Sequence, residues 1–203
     1  MKKLALLVAV GLALAACAGT AEQTTTSRAG TTTTTTAPPA TTAPGHDHGA
    51  GEAPTGDVVA ATLTAAGFQD VSVAEASGYV STMEALGCFH SEEKGGMGLH
   101  YLHESLVDDQ LDVTKPEALV YELDADGEIV GLVAHEYIVP IDAWTSEEPP
   151  SLFGQDLHQH SVLPLWVLHV WLWKDNPAGV FEDYNPKVRL CPESVPLFGV
   201  DKP

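Results

Sequence analysis

The stretch Glu117-Ala118-Leu119-Val120-Tyr121-Glu122-Leu123, Asp124-Ala125-Asp126-Gly127, Glu128-Ile129-Val130-Gly131-Leu132-Val133-Ala134-His135-Glu136-Tyr137-Ile138-Val139 decides the fold. Two runs rich in Val, Leu, Ile and Tyr flank an Asp/Gly turn, the signature of an antiparallel hairpin. With an even number of unpaired residues in the loop, Leu123 faces Glu128 and pairing proceeds outward one residue at a time. That register sets Glu136 opposite Lys115, with Glu117 diagonal to it. It predicts an ion pair for Glu136 despite the apolar Leu132, Ala134 and Ile138 on its face.

Upstream of the hairpin, Asp57 is placed to cap an Ala-rich helix running to about Ala66, and a second helical stretch is expected near 71–79. Gly67 and Gly78 punctuate the two. The segment 87–98, with Gly95, Gly96 and Gly98 close together, reads as a loop, and 99–106 fits either a strand or a helical turn. Downstream, 147–150 is a loop, and 162–173 is apolar on both faces, as a covered central strand requires. Pro164 delays the start of that strand. Asn176-Pro177-Ala178-Gly179 and Asn185-Pro186 are turns. Helices followed by an antiparallel sheet make an α+β fold, an N-terminal helical segment packed on the sheet in a single domain.

The N-terminus carries an address. Met1-Lys2-Lys3 precedes an apolar run too short to span a bilayer, and Leu14-Ala15-Ala16-Cys17-Ala18 has the form of a lipobox. Residues 1–16 are therefore read as a lipoprotein signal peptide. Cys17 is the lipidated residue, carrying acyl chains such as palmitate that hold the protein on the extracytoplasmic face of a bacterial cell membrane. Residues 17–56, with six consecutive threonines at 31–36, are a disordered Thr/Ala/Pro-rich tether, and 57–203 form the globular domain. His46-Asp47-His48 near the end of the tether reads as a solvated polar stretch. Of three cysteines, assigning Cys17 to lipid leaves Cys88 and Cys191, which in an oxidising compartment pair as a structural disulfide. Nine Lys and Arg against 28 Asp and Glu give a net charge of −19, a surface that repels nucleic acid.

Seven histidines fall in the domain: His90, His100, His103, His135, His158, His160 and His169. Imidazoles from separate strands are what a zinc or copper site is built from. His100-Tyr101-Leu102-His103-Glu104 puts three ligands within five residues, on one face if helical, and His158-Gln159-His160 puts two rings on one side of an extended strand. His169 lies in a strand with Trp171 and Trp173, either as a hydrogen-bonded core residue or as a ligand. In the second case Trp166, Trp171, Trp173, Phe181 and Tyr184 supply the walls of a pocket for a flat molecule. Neither His-Glu pair has a second histidine three residues on, so the zincin motif is absent. No Gly-x-Ser-x-Gly occurs, and Gly95-Gly96-Met97-Gly98 lacks the strand-to-helix context of a phosphate loop.

Several segments together resemble an uncharacterised family of small bacterial exported proteins and lipoproteins. They are Gly96-Met97-Gly98-Leu99-His100-Tyr101, Pro116 to Glu122, His135-Glu136-Tyr137, Pro149 to Gly154, Leu168 to Trp173, Asn176 to Phe181, and Asn185-Pro186 to Cys191. The resemblance implies one exported domain over roughly 60–192 and no particular chemistry. It also marks a departure: relatives often carry His-Tyr where Leu165-Trp166 stand here. His100 and His169 recur within the distinctive motifs and head the ligand set, followed by Glu136, His158 and His103. The expected protein is a membrane-anchored binding protein rather than an enzyme, with the enzyme reading left open, for a divalent metal (copper or zinc) or a metal-containing ligand, with haem the lesser alternative. The competing reading is a metal-free structural or protein-interaction module, and a metal-dependent hydrolase ranks last.

Overall fold

The computed structural model describes residues 55–197, which fall within one compact unit. The expected signal peptide, Cys17, the tether up to residue 54 and His46-Asp47-His48 lie outside the described residues. Among the described residues no helix is long and apolar enough to cross a membrane.

Helix α1 spans Thr55–Ala65, so Asp57 lies inside its first turn, where a carboxylate favours the helix dipole, and does not cap it. A 3-10 turn, Ala66–Gln69, leads to α2, Val71–Ala76, capped by Asp70 accepting the Ser72 N–H at 3.0 Å. Helix α2 stops short of the expected Tyr79, because Gly78 turns the chain at φ 103°.

Seven strands form one sheet: β1 Val80–Ser81, β2 Cys88–Ser91, β3 Gly95–Leu102, β4 Ala118–Leu123, β5 Ile129–Pro140, β8 His158–Gln159 and β9 Leu165–Trp171. Their order is β1-β3-β4-β5-β9-β8, with β2 also on β3 and every pair antiparallel. Between β5 and β8, β6 Ser151–Leu152 and β7 Gln155–Asp156 form a small separate hairpin. The fold is α+β in a single domain, as the residue pattern implies. The helices cover one face of the sheet: Ala65, Ala74 and Phe68 pack against Leu99, Tyr101, Leu119 and Tyr121, while Ala61 packs with Tyr137, Val139, Leu168 and Val170. Three of the buried tyrosines donate their hydroxyls to backbone carbonyls, Tyr79 to Pro116 O, Tyr121 to Phe68 O and Tyr137 to Val113 O, each at 2.7 Å.

Two sequence expectations change. The hairpin forms at Asp124–Gly127, but Leu123 pairs with Ile129 and not with Glu128, so the loop leaves an odd number of residues unpaired, and β5 then carries two extra residues. Val130 falls between the pairs Leu123↔Ile129 and Glu122↔Gly131, and Val133 between Tyr121↔Leu132 and Val120↔Ala134. The loop and the two bulges each advance β5 by one position, so Glu136 sits opposite Ala118 and never meets Lys115, which instead pairs with Asp112 at 3.2 Å. The glycine-rich segment read as a loop is strand: β2 and the start of β3 lie within it. Its glycines answer to close packing. A Cβ on Gly96 would stand 2.2 Å from Arg189 O, because the C-terminal segment crosses directly over β3. That crossing is fixed by the Cys88–Cys191 disulfide, by Asn185 N–H donating to Gly96 O at 2.9 Å, and by Gly96 N–H donating to Val188 O at 3.2 Å.

Candidate metal centre

Residues paired directly across antiparallel strands share a face, as do positions two apart along a strand. One cross-strand row runs Leu102, Ala118, Glu136, His169, and the next runs His100, Val120, Ala134, Trp171. His100, Glu136 and His169 therefore point to the same side of the sheet, away from the helices. Between them β4 offers only Ala118 and Val120. These small side chains leave room for His100 of β3 and Glu136 of β5 to reach over β4 and meet. The bulge at Val133 sets Glu136 opposite Ala118 of β4, and the unbroken β5–β9 register sets it opposite His169.

The three side chains converge and are buried, at 6%, 7% and 1% exposure respectively. His100 Nε2 lies 3.3 Å from Glu136 Oε2 and 3.5 Å from His169 Nε2, and His169 Nε2 lies 3.8 Å from Glu136 Oε1. The two imidazoles face different oxygens of the one carboxylate, and one ligand atom from each residue can be chosen so that all three lie within 4.8 Å of one another, close enough to share an ion such as zinc after small side-chain adjustments. Two imidazoles and one carboxylate from β3, β5 and β9 would leave at least one coordination position open.

Behind His169 stands Asp183, on the C-terminal segment. Its Oδ1 is 3.1 Å from His169 Nδ1, and its Oδ2 is 3.1 Å from His158 Nε2. A carboxylate accepting from Nδ1–H fixes the tautomer and aims the Nε2 lone pair at the cluster, the second-shell arrangement of metal-bound histidines. His100 has no counterpart, since its Nδ1 is buried without a hydrogen-bond partner. Asp183 is held by turns whose side chains do the work. Asn176 Nδ2 donates to Tyr184 O at 3.0 Å, Asn185 Nδ2 donates to Lys174 O at 3.3 Å, and Trp171 Nε1–H donates to Glu182 O.

Electrostatics leave His100 ready to ligate, whereas at His169 and Glu136, both raised, a metal competes with protons. Burial pushes His100 down to about 3, so its ring is neutral and keeps a lone pair. Burial also pulls His169 down, but Glu136 and the Asp183 hydrogen bond outweigh it and raise its pKa overall. Glu136 is raised by burial, against the pull of His169. Asp183 is held far below the usual carboxylate range, because its hydrogen bonds to His158 and His169 outweigh its desolvation.

Of the residues singled out in sequence, the structure brings His100, Glu136 and His169 together. His158 is linked to them through Asp183. His103 stands apart: β3 ends at Leu102, so no helical face joins it to His100, and its ring nitrogens meet Ser77 O and Ser105 Oγ, each at 3.1 Å. His135 faces the helices, with Nδ1 3.4 Å from the Tyr137 hydroxyl and its ring against Trp173. His90 Nδ1 accepts the Cys191 N–H at 3.1 Å. The aromatic walls expected around His169 are largely core, with Trp166 and Phe181 packed on the Tyr137 cluster and Trp173 on the helix-side cluster. Sequence reasoning missed Asp183, because one carboxylate among 28 acidic residues carries no local signal.

Two pockets flank the cluster. One, of about 70 Å³, is bounded by His100, Glu136 and apolar side chains, and the other, of about 230 Å³, by His169, His158, Asp183 and Lys94. Met97 and His160 line both. No protein-family model, curated protein or solved structure matches this chain.

Proposed function

We propose that the protein is a membrane-anchored extracytoplasmic lipoprotein whose domain binds one divalent transition metal, zinc or copper, through His100, Glu136 and His169. The observation that carries this reading is the convergence of three buried donor groups whose ligand atoms lie within 4.8 Å of one another, one of them backed by a carboxylate. The acidic surface, with a net charge of −19, supports it by raising the local concentration of cations. A binding role fits better than hydrolysis. Both carboxylates that touch the cluster are committed, Glu136 as a ligand and Asp183 to two imidazoles, which leaves neither as a general base. The lipid anchor at Cys17 supports action at a membrane surface.

The test is elemental analysis of the full mature chain, exported, free of any histidine tag and purified without chelator. The expected result is close to one zinc or copper per chain, lost in His169→Ala and Glu136→Gln while the folded far-ultraviolet spectrum persists. Variants that hold as much metal as the parent protein would remove these residues from the site. A folded chain that refuses added metal would instead favour the structural or interaction module.

A further inference from the structure

The 70 Å³ pocket is lined by His100 and Glu136, two of the three candidate ligands. Its other walls are chiefly apolar: Phe89, Met97, Leu102, Ile138, Leu163 and Leu165. The one hydroxyl on its wall, Thr82 Oγ1, is engaged by His100 O at 3.0 Å. One wall is chemically different. His160 Nδ1 accepts the backbone N–H groups of Val162 and Leu163 at 3.1 and 2.9 Å. A ring accepting at Nδ1 carries its proton on Nε2 when neutral, so His160 is a donor and not a further metal ligand. Besides the unpartnered Nδ1 of His100, the triad and the lining of this pocket offer metal coordination, the His160 N–H donor and a greasy recess of room for on the order of five water-sized positions.

We infer that the metal takes a short-chain aliphatic carboxylate as its exogenous ligand. One oxygen sits on the metal and accepts from His160 Nε2–H, and the alkyl chain lies in the apolar pocket. The inference rests on the metal reading above. An anionic oxygen is the donor that both displaces metal-bound water and satisfies His160. The apolar walls favour a chain over a bare anion, and the volume excludes aromatic or long-chain acids.

The experiment uses the full mature chain loaded with cobalt(II), whose visible absorption reports its ligands. Formate, acetate, propionate, butyrate and octanoate are titrated in turn. Affinity is expected to rise about three- to fourfold for each methylene up to butyrate and to collapse at octanoate. His160→Ala should weaken every acid about tenfold without changing cobalt content. Leu163→Trp, which fills the recess, should erase the chain-length gain while formate still binds. The chain-length series needs no variant, so a misfolded mutant cannot obscure the result. Equal affinity for all five acids, or a cobalt spectrum that ignores them, would overturn the inference and leave the metal reading standing. Failure to take up cobalt, zinc or copper at all would overturn both.

Discussion

Replacing Asp183 by alanine isolates what a carboxylate behind a candidate ligand contributes. Asp183 receives two imidazoles at 3.1 Å each, and one of them, His169, points its other nitrogen into the cluster. Without the carboxylate, the Nδ1–H of a fully buried ring loses its acceptor. The ring then gains by turning, or by moving its proton to Nε2, the atom a metal needs free. Second-shell losses of this kind cost about 10- to 100-fold in affinity, or roughly 1.4–2.7 kcal/mol. Competition between the protein and a chromophoric chelator for zinc at neutral pH reads that change directly. Asp183→Asn should fall between the two, because its carbonyl still accepts from His169 while its amide no longer suits a protonated His158. Thermal melts in excess chelator separate a damaged fold from a damaged site. An Asp183→Ala protein that melts normally and binds zinc within twofold of the parent would refute the reasoning.

Further outcomes follow from other parts of the molecule. Burial raises the Glu117 carboxyl to about 8, so the folded state prefers it protonated. A raised folded pKa means stability that is complete below about 4.5 and lost as pH climbs through 8. The melting temperature should therefore fall across that window in the parent protein and stay flatter in Glu117→Gln, whose carbonyl can still accept the Ile138 N–H. Identical pH profiles would contradict this. Reducing Cys88–Cys191, which closes a loop 103 residues long, should remove about 4–5 kcal/mol in the chain-entropy picture. Because that bond anchors the segment bearing Asp183, reduction should also weaken metal binding, and unchanged melts and affinities would argue against it. His103→Ala should leave metal content untouched, as measured by elemental analysis, because its ring meets Ser77, Ser105 and the edge of Tyr79, none of them part of the cluster.

What the sequence conveyed depended on how local each signal was. The hairpin was legible because β-branched runs and an Asp/Gly turn act within a few residues. Its bulges were not, because nothing in Val130 or Val133 distinguishes an extra residue from a paired one. That difference moved Glu136 from a surface partner, Lys115, into a buried cluster. The glycines at 95, 96 and 98 misled for a related reason: glycine marks both a turn and a place where another backbone comes close, and here Arg189 O lies over Gly96. His100 and His169 stood out by their setting among apolar residues. His103 shared the spacing but fell beyond the end of β3. Asp183 depended on a long-range fold of the C-terminal segment that no window of sequence contains.

The central claim is that His100, Glu136 and His169 hold one metal ion. Anomalous diffraction from crystals of the mature protein grown with zinc, recorded on both sides of the zinc absorption edge, tests it most directly. A single peak about 2.0–2.2 Å from His100 Nε2, His169 Nε2 and a Glu136 oxygen is the predicted result. Crystals in which zinc occupies other positions while the space between those three side chains stays empty would contradict it.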